Sequence, residues 1–170
     1  MAAPETTTLR IELLRAQHDR SSFICGKESL DRYFQQQVTQ DARRHLATPF
    51  VMVMPDGAIG GFYTLSSTAL RLRDLPEDIA RRLPRYPLLP ATLIGRLAID
   101  RRHHGQGWGS FLFLDALYRC SRSEIASFAV LVDALDDEAR DFYVHHSFLP
   151  LPDAPYRLFR RMSDIEALFK

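Results

Sequence analysis

RLAIDRRHHGQGWGS, residues 96–110, is the stretch on which the fold turns. Leu97, Ala98 and Ile99 close an apolar run, ATLIGRLAID (91–100), that reads as a central strand. Arg102 and three glycines, Gly105, Gly107 and Gly109, then lead directly into FLFLDALYRC (111–120), apolar over a wide arc and expected to form a buried helix. A strand handing over to a helix through glycines is a place to hold a phosphate. The first amides of a helix lack intrahelical partners and lie at the positive end of its dipole. Glycine lets the backbone approach a ligand closely, and an arginine beside it adds a charge-assisted contact. The candidate binding residues are Leu97, Ala98 and Ile99 on the strand, and Arg102, His103, His104, Gly105, Gln106, Gly107, Trp108, Gly109 and Ser110 on the loop and first turn.

The spacing sets two familiar phosphate loops aside. Gly105-x-Gly107-x-Gly109 is not GxGxxG, no acidic residue is well placed for a ribose, and no GK[ST] follows. The pattern that fits is [Arg/Gln]-x-x-Gly-x-[Gly/Ala], filled by Arg102, Gly105 and Gly107. The string is short, and its position between a buried strand and a buried helix gives it weight.

Outward from this segment the chain alternates strands and helices. Leu9, Ile11 and Leu13 alternate with Arg10 and Glu12 as in a half-buried strand. Leu30, Tyr33, Phe34, Val38 and Ala42 recur at helical spacing, which predicts a helix over 29–45 with Ser29 as its cap. FVMVM (50–54), a Pro55-Asp56-Gly57 turn and a strand over 59–66 read as a hairpin. Pro76 with Glu77 and Asp78 starts a short helix, and RYPLLP (85–90) is a stiff connector. FAVLV (128–132) is a second buried strand and 137–146 a helix with Phe142 and Tyr143 on one face. Phe148 and Leu149 open another strand, 156–161 is the last, and Ser163 with Glu166 forms a capping box. This order implies an α/β three-layer α-β-α sandwich on a mixed sheet, a single domain over 1–170 with residues 1–8 disordered.

Composition bounds the function. With 170 residues, 46% of them hydrophobic and 25% charged, the chain is neither a disordered tail nor a fibre. No apolar run reaches the ~20 residues of a membrane span, and the opening MAAPETTTLR lacks a signal-peptide core, so a cytoplasmic location and no membrane partner are expected. Cys25 and Cys120 form no CxxC pair and read as small core residues. No histidine pair has metal-ligand spacing, so no metal is expected; His145 and His146 suit a helix C-terminus. Net charge is +1, yet residues 71–104 hold eight arginines against four carboxylates, a local surplus suited to a phosphate-rich ligand.

Residues 91–148 resemble the GCN5-related N-acetyltransferases: the strand–loop–helix of 96–110, the Asp100-Arg101 lead-in, and DALDDEARDFYVHHSF (133–148), similar to that family's A-x-x-FY-x-x-x-GF segment. FICGKESLD (23–31) with Phe34, and PRYP…LIGRLAIDRR (84–102), resemble the toxin branch found in bacterial toxin–antitoxin pairs. The resemblance implies the acyl-CoA N-acyltransferase fold, acetyl-CoA as co-substrate with its pyrophosphate on the glycine loop, and acetylation of the α-amino group of an aminoacyl-tRNA. It implies a ribbon-helix-helix antitoxin as partner; a homodimer stays open. An acetyltransferase for a protein or small-molecule amine, and a non-catalytic acetyl-CoA-binding module, are the alternatives. Departures from the pattern are Ser147 for glycine, Gln106 for a basic residue and Trp108 for an aliphatic one.

Acetyl transfer needs a neutral amine, a polarised thioester carbonyl and a proton for the departing thiolate. Amides at Leu97-Ala98-Ile99 suit the pantetheine and the developing oxyanion. Tyr143 is the candidate general acid, a phenol of pKa ~10. Composition alone favours packing beside Phe142, and the resemblance favours catalysis. No general base stands out, which leans toward an α-amino acceptor of pKa ~7.7–8.0 rather than lysine. Arg81, Arg82 and Arg85 near the connector and Arg43 and Arg44 at the end of the first helix are candidate tRNA contacts. Arg96 either faces substrate or pairs with a buried carboxylate. Trp108 and Phe111 are expected in the core.

Overall fold

The computed structural model describes residues 8–170. Of the stretch 1–8 expected to be disordered, residues 1–7 lie outside the described residues. The strands are β1 (Arg10–Leu13), β2 (Thr48–Val53), β3 (Ile59–Arg71), β4 (Leu88–Ile99), β5 (Ala129–Asp133), β6 (Leu149–Leu151) and β7 (Ala154–Arg161). They form one seven-stranded sheet in the order β1-β2-β3-β4-β5-β7-β6. The β1/β2, β2/β3, β5/β7 and β6/β7 pairs are antiparallel. β4 and β5 are parallel over Ala91–Ile94 and Ala129–Val132, which makes the sheet mixed, as expected. The helices are α1 (Glu28–Arg32), α2 (Val38–Arg43), α3 (Glu77–Ala80), α4 (Trp108–Ser121), α5 (Asp137–His145) and α6 (Met162–Ala167).

The chain divides into two compact units, each discontinuous in sequence. The first takes residues up to 65 together with 96–116. Its core is aromatic: the Phe34 and Phe62 rings stack with centroids 4.1 Å apart, and Phe23 meets Phe34 edge-on at 4.9 Å. All three are at most 1% exposed, and truncating any one to alanine is expected to cost about 3–5 kcal/mol. The hairpin turn behaves as predicted. Gly57 has φ +87°, and the Asp56 carboxylate accepts from the Ala58 amide at 2.9 Å.

The second unit takes residues 66–95 and 117–170. Leu70, Leu75, Leu89, Ala129, Leu131, Leu151 and Phe159 form its core. Here β7, the last strand in sequence, lies between β5 and β6.

Several expectations need correction. The helix predicted over 29–45 is α1 and α2 joined by a π turn, Tyr33–Gln37. The Arg20 guanidinium donates to the Phe34 carbonyl at 2.6 Å, drawing that oxygen out of the regular ladder. Ser29 does not cap it, because the helix begins at Glu28 with Lys27 before it and no side-chain cap. Ser163 does not cap α6 either: the helix starts at Met162, and Arg161 instead pairs with Asp164 at 3.2 Å. Half of the supposed connector is strand, since β4 begins at Leu88. Helix α4 buries Leu112, Phe113, Ala116, Leu117 and Cys120, but Phe111 is 47% exposed and packs only its edge on a half-buried Trp108. Phe111 is therefore not a core residue.

Candidate functional site

The loop after β4 is organised by one buried carboxylate. Asp100, 1% exposed, accepts from the Arg102 amide at 2.9 Å, from Arg102 Nε at 2.8 Å and from the Ile24 amide at 3.1 Å. Burial pushes its pKa up, but these donors outweigh burial and hold it below the usual carboxylate range. The backbone adds two ties, Asp100 N–H to Gly60 O and Arg101 N–H to Ile24 O, both at 2.8 Å. Arg102 is thus forked on Asp100 while its side chain stays about half exposed. Asp100 also caps the short 3-10 turn Arg101–His103. Its part as the hub of the loop escapes the sequence reading, which saw it only as a motif lead-in.

Beyond that turn the loop is built for glycine. Gly105 and Gly107 have φ +72° and +83°, and a Cβ on either would meet nothing within 4 Å. Their requirement is conformational, and the space above them is open. His104 Nε2 donates to Ile99 O at 2.7 Å, and Trp108 Nε1 donates to the Gln106 side-chain oxygen at 3.2 Å. These bonds fix the loop from both ends. His103 is half-buried, while Gly109 and Ser110 sit in the first turn of α4. Leu97, Ala98 and Ile99 lie beyond the last residue pair of the β4/β5 ladder, so their amides take no part in it. Gly61 allows the end of β4 and α4 to close up: a Cβ there would fall 2.8 Å from Ile99 Cδ1, 2.9 Å from Ala98 O and 3.0 Å from Leu112 Cδ2. The Gly60-Gly61 pair was the available signal for this approach.

The segment 23–31 is held by Asp31, whose carboxylate accepts from the Cys25 amide at 2.7 Å and the Gly26 amide at 3.4 Å. Among the described residues Arg96 does not pair with the buried carboxylate, Asp100, which is held by Arg102. The Arg96 guanidinium lies 3.8 Å from the Tyr33 ring centroid, and the Tyr33 hydroxyl donates to Asp41 at 2.9 Å. Burial, then that bond, pushes the Tyr33 phenol up to about 12. A Gln37 hydrogen bond first, and also Tyr33 and the charges of Arg96 and Arg44, hold Asp41 low against burial. The charges of Arg96 and Arg44 thus both act on Asp41, whereas Arg43 ends α2 exposed.

In the second unit, Arg81, Arg82 and Arg85 are all exposed. Arg81 and Arg85 line one groove, and Arg82 is not part of it.

Tyr143 is buried on α5, whose start is capped by Asp136 accepting from the Ala139 amide at 2.9 Å. Its ring lies 5.4 Å from Phe142 and 6.3 Å from Phe148. Burial first, and then the charge of Asp133, push the phenol's pKa well above its ordinary value. The helix ends in a paired-carbonyl cap: Phe148 N–H donates to Tyr143 O and Ser147 N–H to Val144 O, both at 3.0 Å. Ser147 occupies the left-handed position with φ +67°, a conformation that the glycine of the family pattern adopts without steric cost. His146, beside it, is lowered by burial, by His145 and by Arg160, and so is a poor cation for the helix terminus. Cys25 and Cys120 are buried free thiols pushed up to about 11 and about 12, mainly by burial, which suits core residues rather than nucleophiles. Among the described residues no cluster of metal-ligating side chains occurs, and no helix is long and apolar enough to cross a membrane.

A mixed sheet whose fourth strand runs through a glycine loop into a helix defines the GCN5-related N-acetyltransferase fold. No protein-family model matches the sequence. The chain is 39% identical over 152 residues to a tRNA-acetylating toxin of Mycobacterium tuberculosis strain H37Rv, covering 88% of this chain and 90% of that protein. It is 32% identical over 161 residues to a probable toxin TacT of Sinorhizobium fredii, covering 89% of each. Among solved structures, a Tyr-to-Phe variant of KacT superposes with a TM-score of 0.88 at 27% identity, covering 95% of this chain and 99% of that one. AtaT complexed with acetyl-methionyl-tRNA superposes with a TM-score of 0.86 at 30% identity, covering 95% and 99%. A Tyr-to-Phe variant of AtaT bound to the C-terminus of the antitoxin AtaR and acetyl-CoA gives 0.81 at 27% identity, covering 95% and 98%. The chain belongs to the tRNA-acetylating toxins, a branch of the GCN5-related N-acetyltransferases.

Proposed function

We propose that this chain transfers the acetyl group of acetyl-CoA to the α-amino group of an aminoacyl-tRNA and thereby blocks translation. The observation that carries this reading is the loop of Gly105 and Gly107, at positive φ with open space above it, in a chain 39% identical to a tRNA-acetylating toxin. A loop with no Cβ on the ligand side and a helix start behind it suits a diphosphate. Bound there, acetyl-CoA supplies the thioester. Trp108, Gly109 and the loop amides hold the phosphates, and Arg102, oriented by Asp100, adds positive charge. Amides of Leu97, Ala98 and Ile99 bind the pantetheine arm and stabilise charge on the carbonyl oxygen.

Tyr143 acts as the general acid. Burial keeps its phenol protonated, so the proton is available when the C–S bond breaks and the amine forms the new C–N bond. The amine needs little help, since an α-amino group of pKa ~7.7–8.0 is already partly neutral at cellular pH. Arg96, stacked on Tyr33 and with no side-chain hydrogen bond among the described residues, contacts the acceptor end of the substrate. The enzyme works in the cytoplasm, and a ribbon-helix-helix antitoxin encoded with it restrains it.

The test is incubation of unfractionated aminoacyl-tRNA with labelled acetyl-CoA. Label should appear on the amino acid of the charged tRNA and be released with it by mild base. Label on protein or polyamine acceptors, with none on charged tRNA, would overturn the reading.

A further inference from the structure

The irregularity in the first helical segment of the chain brings Tyr33 and Asp41 together. In a regular helix, residues eight apart point about 80° away from each other. The π turn Tyr33–Gln37 inserts one extra residue between them, which returns the two positions to within about 20°. The Tyr33 hydroxyl then reaches Asp41 Oδ2 at 2.9 Å, and Gln37 Nε2 donates to Asp41 Oδ1 at 3.1 Å. Each carboxylate oxygen thus accepts from the same stretch of helix. The Arg20 guanidinium, drawing out the Phe34 carbonyl at 2.6 Å, holds the turn in place.

What the fixed ring carries is Arg96. The guanidinium carbon lies 3.8 Å from the Tyr33 centroid. At the other end of that residue, the Arg96 amide donates to the hydroxyl of Thr64 at 3.2 Å, and Thr64 is 1% exposed. Tyr33 is itself buried and stacks on Phe62 with centroids 6.4 Å apart. The arginine is therefore held at both backbone and head. All of these residues belong to the first unit. Packing alone accounts for a buried ring, but not for a guanidinium laid on it with no side-chain hydrogen bond among the described residues. A free arginine samples many rotamers, and ordering it before the substrate arrives removes that loss from the binding step.

We infer that Tyr33 and Asp41 are positioning residues for acetyl transfer: their hydrogen bond holds Arg96 in the orientation from which it presents the acceptor end of the substrate to the thioester. The inference rests on the aminoacyl-tRNA reading and adds to it two residues that act through Arg96. A small error in that orientation slows the reaction steeply, because the reacting atoms must lie about 3–3.5 Å apart and in line.

The test measures kcat and KM for unfractionated aminoacyl-tRNA and for acetyl-CoA in Tyr33→Phe, Asp41→Ala and Arg96→Ala, singly and in pairs. Tyr33→Phe and Asp41→Ala break the same bond. Each should lower kcat/KM for charged tRNA about five- to tenfold, and the two together no further. Asp41→Asn keeps an oxygen to accept from the hydroxyl and should recover most of the loss. In the Arg96→Ala background neither substitution should lower kcat/KM again, whereas residues that only support the fold would do so. The KM for acetyl-CoA should stay within about twofold of wild type throughout, which also shows that each variant is folded. Losses that add to that of Arg96→Ala, or that fall equally on acetyl-CoA, would overturn the inference. So would full activity in Arg96→Ala, or in Tyr33→Phe and Asp41→Ala alike. A wild-type protein inactive on every charged tRNA would overturn the aminoacyl-tRNA reading and the inference together, and that result is seen without any variant.

Discussion

The amide of Phe148 donates to the carbonyl oxygen of Tyr143 at 3.0 Å, folding the chain back over the helix turn that carries the proposed acid. Their rings lie tilted at 46° to each other, with centroids 6.3 Å apart. This closure requires a left-handed residue between them, and Ser147 supplies it at φ +67°. An L side chain there costs roughly 1–2 kcal/mol, partly offset by the entropy that glycine would lose on folding. Ser147→Gly is therefore expected to stabilise the protein by about 0.5–1 kcal/mol, raising Tm by about 1–4 °C. Ser147 is exposed, so no packing is lost. Ser147→Val should move Tm the other way. Thermal unfolding followed by circular dichroism checks both.

Removing only the phenolic oxygen isolates the chemical role of Tyr143. Tyr143→Phe keeps the ring contacts with Phe142 and Phe148. It should lower kcat by about 10²–10⁴-fold, the usual contribution of a general acid. Acetyl-CoA affinity by calorimetry should stay within about twofold of wild type. A fall in affinity that matches the fall in kcat would make Tyr143 a structural residue.

The pH profile follows from the two titrating partners. Burial raises the Tyr143 phenol, and Asp133 raises it further, so its acid form persists throughout the neutral and mildly basic range. The acceptor amine must lose its proton, with pKa ~7.7–8.0. Below that value log kcat/KM should climb with slope one, then flatten near pH 8 and stay level to about pH 10, where an ordinary phenol would titrate. Initial-rate measurements on freshly charged tRNA test this. A descending limb between pH 8 and 10 would contradict the assignment.

Asp100→Asn should damage stability and cofactor affinity together. The substitution weakens two amide contacts and removes the charge that holds Arg102, a cost of about 2–3 kcal/mol. Because the folded-state pKa lies below the unfolded value of ~3.9, the carboxylate contributes fully above about pH 4 and loses that contribution as pH falls through its folded value. Urea denaturation of both proteins should show the gap at pH 7 and a narrower one at pH 3. Acetyl-CoA affinity at pH 7 should fall as well, since Arg102 and its amide lose their anchor.

Residues 96–110 were readable because everything needed lies within one contiguous stretch: an apolar strand, glycines at left-handed positions and an apolar helix. Ser147 stood out only as a departure from the family's glycine, and its left-handed backbone came from the structure. What stayed hidden depends on groups far apart in the chain. Asp100 works through Ile24, 76 residues away, and no periodicity announces such a pair. The π turn at Tyr33–Gln37 arises because Arg20 captures a carbonyl 14 residues on. β4 starts at Leu88 although prolines surround it, because pairing within the sheet overrides local preference. Ser29 and Ser163 look like caps in isolation, yet each lies inside its helix, which begins one residue earlier.

Strand β7 enters the sheet between β5 and β6, although it follows both in sequence. A nascent chain halted short of residue 154 would leave β5 bare along one edge and β6 with no neighbour at all. The unit that holds Tyr143 can therefore close only once residues 154–161 have been made.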